Sequence, residues 1–205
     1  MYTPYSFKVA DLVELHSLMK KHSFATLITP GIGEMTATHL PLLLDPHAGP
    51  HGTLLGHMAM ANPQWRDVAG EALAIFSGPH AYVSPTWYES PGTVPTWNYV
   101  AVHAYGAFKL VQDRDGLHDI LTRSVSVYEQ RMPEPWSYDI ADPDMDKMLQ
   151  AIVGFRIEIT RLEGKAKLSQ NHPEERRRKV IRALEAQTEE NFQAIAQLMA
   201  ATLKD

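Results

Sequence analysis

The sequence predicts a mainly β protein with flanking helices, on three observations. Two stretches, VPTWNYVAVHAYG (94–106) and IVGFRIEIT (152–160), alternate in hydrophobicity with the period of two that a half-buried strand requires. Further β-rich runs follow one another closely, separated by short segments of Pro, Gly and Asn. Helical spacing is confined to the start, the middle and the end of the chain. Strands so closely spaced favour a compact antiparallel barrel over a parallel sheet, which needs a long crossover between strands.

The elements can be justified in order. Leu12, Leu15, Leu18 and Met19 recur at helical spacing behind a capping pair, Asp11 and Glu14. FATLIT (24–29) reads as a strand, PGIGE as a turn and MTATHLPLLL (35–44) as the hairpin partner. After the loop PHAGPHG comes the strand TLLGHM (53–58). NPQWRDVAG (62–70) reads as a short helix with Asn62 as cap and Pro63 in the first helical position. ALAIFSGPHAYV (72–83) continues the strands, and SPTWYESPGTVP (84–95) is an irregular loop. The strand beginning at Val94 carries a core face of Val100, Val102, Ala104, Phe108 and Leu110. Residues 115–131 and 143–150 read as helices joined by the loop MPEPWSYDIADPD, and the acidic residues of 139–146 as a solvated loop. Two helices follow the last strand: PEERRRKVIRALEAQ, and TEENFQAIAQLMAATL with Phe192, Ile195, Leu198, Met199 and Leu203 on one stripe. Residues 1–165 are expected to form the barrel domain with inserted helices, and residues 166–205 a helical extension packed on it or on a dimer partner.

Composition narrows the function classes. The chain has 205 residues, 44% hydrophobic and 21% charged, with a net charge of −5 and a pI near 6.0. That balance gives no general attraction to nucleic acid, whose binding rests on phosphate neutralisation. Cys is absent, which excludes disulfides, thiolate chemistry and zinc–thiolate sites. No signal-peptide pattern precedes MYTPYSFKV and no apolar run reaches spanning length, so a cytoplasmic location away from membranes is expected.

The second face of the 94–106 strand poses the functional question. Trp97, Tyr99, His103 and Tyr105 make it a row of amphipathic rings where solvent-facing residues belong. Such a row suits a flat ligand or a second subunit; the plainer alternative is a dry dimer interface. Asn98 has core parity and needs a polar partner there or a bulge. His39, His57, His80 and His103 each sit in a different strand, with no HxH or HxxxH pair and few carboxylates nearby, so hydrogen bonding outweighs metal ligation and no metal site is assigned. No G-x-S-x-G, G-x-G-x-x-G or P-loop is present, although Ser77 and Ser84 lie near His80. The helix start at Asn62-Pro63 offers free N–H groups to an anion. The run Arg176-Arg177-Arg178-Lys179 circles one helix beside Glu174 and Glu175, which reads as a solvated surface.

THLPLLLD (38–45), GHMAMANPQW (56–65), FSGPHAYVSPTWY (76–88), VPTWNYVAVHAYG (94–106) and IVGFRIEITRLEGKAKLSQN (152–171) closely resemble the PaiB-like, FMN-binding negative transcriptional regulators. The resemblance implies a Greek-key antiparallel split β-barrel of the pyridoxamine phosphate oxidase group, and a homodimer holding FMN at the subunit interface. By the same resemblance, Thr38 and His39 supply hydrogen bonds to the flavin ring and His57 belongs to the cofactor site. Trp97, Asn98, Tyr99 and His103 border the flavin. Lys167, Ser169, Gln170 and Asn171 of KLSQN, with Asn62, offer groups for the phosphate. Several family members carry Arg where this chain has Met60; if that Arg touches the phosphate, this chain must bind it through Lys167, through the helix end, or more weakly.

The resulting expectation is a flavin-linked regulator without a recognisable DNA-binding motif, for which direct nucleic-acid binding is not expected. Two alternatives remain. One is an FMN-dependent oxidoreductase of a small-molecule substrate, with His39 or His103 orienting substrate or donating a proton. The other is a haem-binding split barrel with a strand histidine as axial ligand.

Overall fold

A computed structural model of the chain describes residues 1–31, 33–137, 139 and 143–203. The described strands are β1 (Lys8–Val9), β2 (Phe24–Pro30), β3 (Met35–Pro41), β4 (Leu43–Asp45), β5 (Thr53–Ala59), β6 (Glu71–Val83), β7 (Thr96–Val111) and β8 (Ile152–Lys167). The helices are α1 (Leu12–Lys21), α2 (Arg114–Glu129), α3 (Pro143–Leu149), α4 (Glu174–Glu185) and α5 (Glu190–Ala201). The hydrogen-bonded strand order is β3–β2–β6–β7–β8–β5–β4, with β1 on β8. The registered pairs β1/β8, β2/β3, β2/β6, β4/β5 and β5/β8 are all antiparallel. The chain is therefore mainly β with flanking helices.

Two compact units divide the chain. One comprises residues 1–18, 77–103 and 163–205; the other comprises residues 19–76 and 104–162. The three long strands β6, β7 and β8 each contribute to both. In the first unit Ala81, Val83, Tyr88, Val100 and Leu168 form one core with Val180, Leu184, Ile195 and Met199. The stripe of α5 is thus intramolecular packing, the outcome an amphipathic helix beside a sheet favours. In the second unit Leu43, Leu55 and Ile120 are buried with Val111, Val127 and Tyr128 packed on them.

Local chemistry explains the element ends. The Glu14 N–H donates to Asp11 Oδ1 at 2.8 Å, so the capping pair of α1 forms as expected. Asp113 Oδ1 accepts from the Gly116 N–H at 2.8 Å and starts α2 in the same way.

Several expectations change. The core face of β7 runs through Val100, Val102 and Ala104, and Phe108 stacks on Phe155 with centroids 4.9 Å apart. Leu110 lies 41% exposed, because the buried face ends before the strand does. The last strand does not stop at Thr160 but continues through RLEGKAK to Lys167. NPQW is a three-residue 3-10 turn, Pro63–Trp65, and not a helix. The irregular 84–95 loop contains a second such turn, Pro85–Tyr88, capped by Ser84. The stretch 139–146 is not one loop, since α3 begins at Pro143; residues 138 and 140–142 lie outside the described residues.

Candidate functional site

The twelve residues singled out from the sequence separate into two sets. Thr38, His39, His57 and Asn62 belong to the second unit; Trp97, Asn98, Tyr99, His103, Lys167, Ser169, Gln170 and Asn171 belong to the first.

In the second unit, the β2–β3 hairpin presents Thr26 opposite His39 and Leu27 opposite Thr38. Thr26 Oγ1 and His39 Nδ1 share a hydrogen bond of 3.0 Å, which leaves Nε2 of the exposed imidazole directed elsewhere. Asn62 Nδ2 donates to Thr38 Oγ1 at 3.0 Å, while Asn62 Oδ1 accepts from the Gln64 N–H at 3.0 Å. The anion seat expected at Asn62-Pro63 is thereby lost: a three-residue turn has no helix dipole, and the Gln64 N–H is occupied by the cap itself. His57, on β5, lines an apolar cleft of about 250 Å³ with Leu121, Val125, Trp136 and Met148. Burial lowers its pKa, so the imidazole is held neutral at pH 7. Met60 lines a second cleft, of about 380 Å³, together with Gln112 and Arg114. The sequence reading overlooked Arg114; only folding brings a residue 54 positions away to the same cleft wall as Met60.

In the first unit, the aromatic row is only half covered. Trp97 is 54% exposed and meets Tyr82 edge-on at 5.9 Å and His80 at 6.1 Å. The buried ammonium of Lys165 stands 5.0 Å from the Tyr99 ring centroid and donates to the Tyr2 carbonyl at 3.1 Å. His103 is half-buried, and burial lowers its pKa, helped by the terminal amino group and opposed by Glu163. Asn98 is 0% exposed; its amide donates to Ser169 Oγ at 3.1 Å and to Met199 Sδ at 3.3 Å. The polar partner demanded by its core parity is therefore Ser169, which also meets the Tyr88 hydroxyl at 3.3 Å.

KLSQN divides its labour. Gln170 folds back on its own turn, accepting from Leu168 N and donating to Ala166 O, both at 2.7 Å. Ser169 is buried, and Asn171 is exposed. Lys167 donates to Thr96 Oγ1 and, at 2.7 Å, to the Trp97 carbonyl. With Thr93, Thr96, Asn171 and His172 it lines a cleft of about 260 Å³. No described carboxylate forms an ion pair with Lys167, and burial followed by repulsion from Lys165 lowers its pKa. An uncompensated ammonium in a hydroxyl-lined cleft fits a phosphate group, which would supply the missing negative charge.

A family model described as "Putative FMN-binding domain" matches residues 1–161. The chain belongs to this family. Within the FMN-binding family it is similar to protease synthase and sporulation protein PAI 2 of Bacillus subtilis (strain 168): 38% identical over 207 residues, spanning 100% of this chain and 99% of that one. Among solved structures it is similar to the flavocytochrome Anf3 from Azotobacter vinelandii, with a TM-score of 0.59 at 13% identity, covering 78% of this chain and 69% of that one. It is also similar to the FAD and haem binding protein from Mycobacterium smegmatis, with a TM-score of 0.54 at 16% identity, covering 78% and 73%. Likeness at this identity establishes the fold, the split barrel with flanking helices expected from the sequence. No described helix of this FMN-binding family member is long and apolar enough to cross a membrane.

Proposed function

We propose that this chain is a cytoplasmic, homodimeric, FMN-binding regulator of the PaiB type, with Lys167 as the seat of the flavin phosphate. The observation that carries the reading is the Lys167 ammonium, lowered in pKa by burial, unneutralised by any described carboxylate and flanked by Thr93 and Thr96. Trp97 and Tyr99 are assigned to the border of the flavin, and Thr38, His39, His57 and Asn62 to its hydrogen-bonding set. Asn98, Ser169 and Gln170 support the turn that carries Lys167. Bound FMN would supply electron transfer; the chain's own groups bind, orient and exclude water. A second copy covering Trp97 would explain why an indole is left 54% exposed.

A regulator that reads DNA directly is not favoured, because the basic run is consumed internally. Arg178 pairs with Glu174, and Lys179 with Glu89 and Glu175. Arg176 donates to Ser90 Oγ at 2.6 Å, and Arg177 donates to Thr202. The regulatory role is the one carried by family resemblance.

The decisive experiment is to denature the purified protein and identify what it releases. FMN near one equivalent per chain is expected; a haem absorption band in its place would overturn the proposal. Lys167→Met should weaken FMN about tenfold or more, the effect of losing a charge-assisted hydrogen bond, and light scattering should return a dimer mass.

A further inference from the structure

Gln64 is a residue to which no role has been given, yet it is the most heavily bonded side chain of the hairpin region. Only 5% exposed, it shares the two Nε2 protons among three acceptors at 3.1 Å each: Leu27 O on β2, Thr36 O on β3 and Thr29 Oγ1. Two main-chain carbonyls converging on one atom require an N–H donor there, and a carboxylate oxygen would be repelled. Gln64 Oε1 accepts no hydrogen bond from the described residues, so the amide's hold is entirely that of a donor. Its backbone N–H meanwhile fixes Asn62 Oδ1, and that bond sets which end of the Asn62 amide faces Thr38. Thr38 Oγ1 receives the Asn62 N–H, and its own proton is committed to none of the described residues.

We infer that Gln64 is a positioning residue: by pinning the NPQW turn to both strands of the hairpin, it keeps the Asn62 N–H on Thr38 Oγ1 and so aims the uncommitted Thr38 proton at the flavin. The inference rests on the assignment of Thr38 to the flavin in the proposed function. Its chemistry is local. A hydroxyl that accepts one amide N–H keeps its proton, which points away from that amide, and a carbonyl or phosphoryl oxygen is the ligand group that takes that proton.

The test is a fluorescence titration of FMN into the full-length apoprotein, comparing wild type with Gln64→Met, Thr38→Val and the double variant. Gln64→Met is expected to weaken FMN about tenfold and to shift the visible flavin band, the scale of one lost hydrogen bond. The double variant should bind within about twofold of Thr38→Val alone, because the two residues act through one hydroxyl. Asn62→Asp offers a second route that spares the hairpin: it keeps the acceptor for Gln64 N, replaces the donor to Thr38, and should reproduce the loss. If the Gln64→Met and Thr38→Val losses multiply, or if Gln64→Met binds FMN like wild type, the positioning role is wrong. A wild-type protein that binds no FMN would overturn the cofactor reading and this inference together.

Discussion

Ser169 holds a left-handed backbone, φ +64°, that costs a residue with a Cβ about 1–3 kcal/mol. What compensates is its buried hydroxyl, bonded to Asn98 and Tyr88. Two substitutions should therefore rank against side-chain volume. Ser169→Ala keeps the strain and loses the hydrogen bonds, and is expected to cost about 2 kcal/mol in urea denaturation. Ser169→Gly loses the same bonds but relaxes φ, and should cost about 1 kcal/mol less than Ser169→Ala; the reverse order would disprove this account. Asn98→Leu, which removes the amide and leaves the buried Ser169 hydroxyl only Tyr88, is expected to cost about 1–3 kcal/mol. One member of this triad was legible in the sequence, since the parity of Asn98 called for a partner or a bulge. That Ser169 would be the partner was not, because 71 residues separate them and only the turn after β8 brings them together.

At the scale of elements, the strands were legible and their ends were not. The period-two pattern of β7 and β8 is carried by buried aliphatics, which sequence displays directly. From Arg161 to Lys167 the pattern weakens, because Gly164 and Ala166 carry little apolar surface and alternate with the charged Glu163, Lys165 and Lys167. Those charges have tertiary reasons: the Arg161 guanidinium lies 3.6 Å from the Tyr105 ring centroid, and Lys165 lies over Tyr99. The rings that looked like an uncovered face in the sequence are thus partly roofed by cations from the neighbouring strand. NPQW misled for a related reason, since Gln64 is drawn to carbonyls of β2 and β3 that local pattern cannot reveal. Close strand approach gives a sharper test. A methyl group at Gly106 would collide with the Glu158 carbonyl oxygen and fall 2.8 Å from Ile157 Cγ2. Backbone cannot yield as a side chain can, so Gly106→Ala is expected to destabilise by about 1–3 kcal/mol or more. A chemical-denaturation midpoint equal to wild type would refute the close β7–β8 contact.

Across the whole molecule, the fold class and family were legible because motifs spread along the chain match together, whereas the division into two units was not, since each unit is assembled from separated segments. The ionisable groups link both units to one solution property. His22 and His57 in the second unit, and His103 and His172 in the first, all have pKa values lowered from 6.5, with burial as the leading cause in each. Between each folded value and 6.5 the unfolded chain holds more protons than the native one, so stability rises with pH across that window. The contribution is complete above about pH 6.5 and is lost as the pH falls through the folded values. Asp45 and Glu158, whose pKa values are lowered chiefly by a backbone hydrogen bond from His47 and by the Lys109 hydrogen bond, act in a separate window below their ordinary values of 3.8 and 4.5. The urea midpoint should accordingly be level from about pH 8 to 7, then decline below about pH 6.5 before any carboxylate effect begins. His57→Leu, which removes a titrating group from an apolar cleft without adding a charge, should flatten part of that decline. A wild-type midpoint that stays constant from about pH 7 to 5 would show that these histidines take up their protons as readily in the native chain as in the unfolded one.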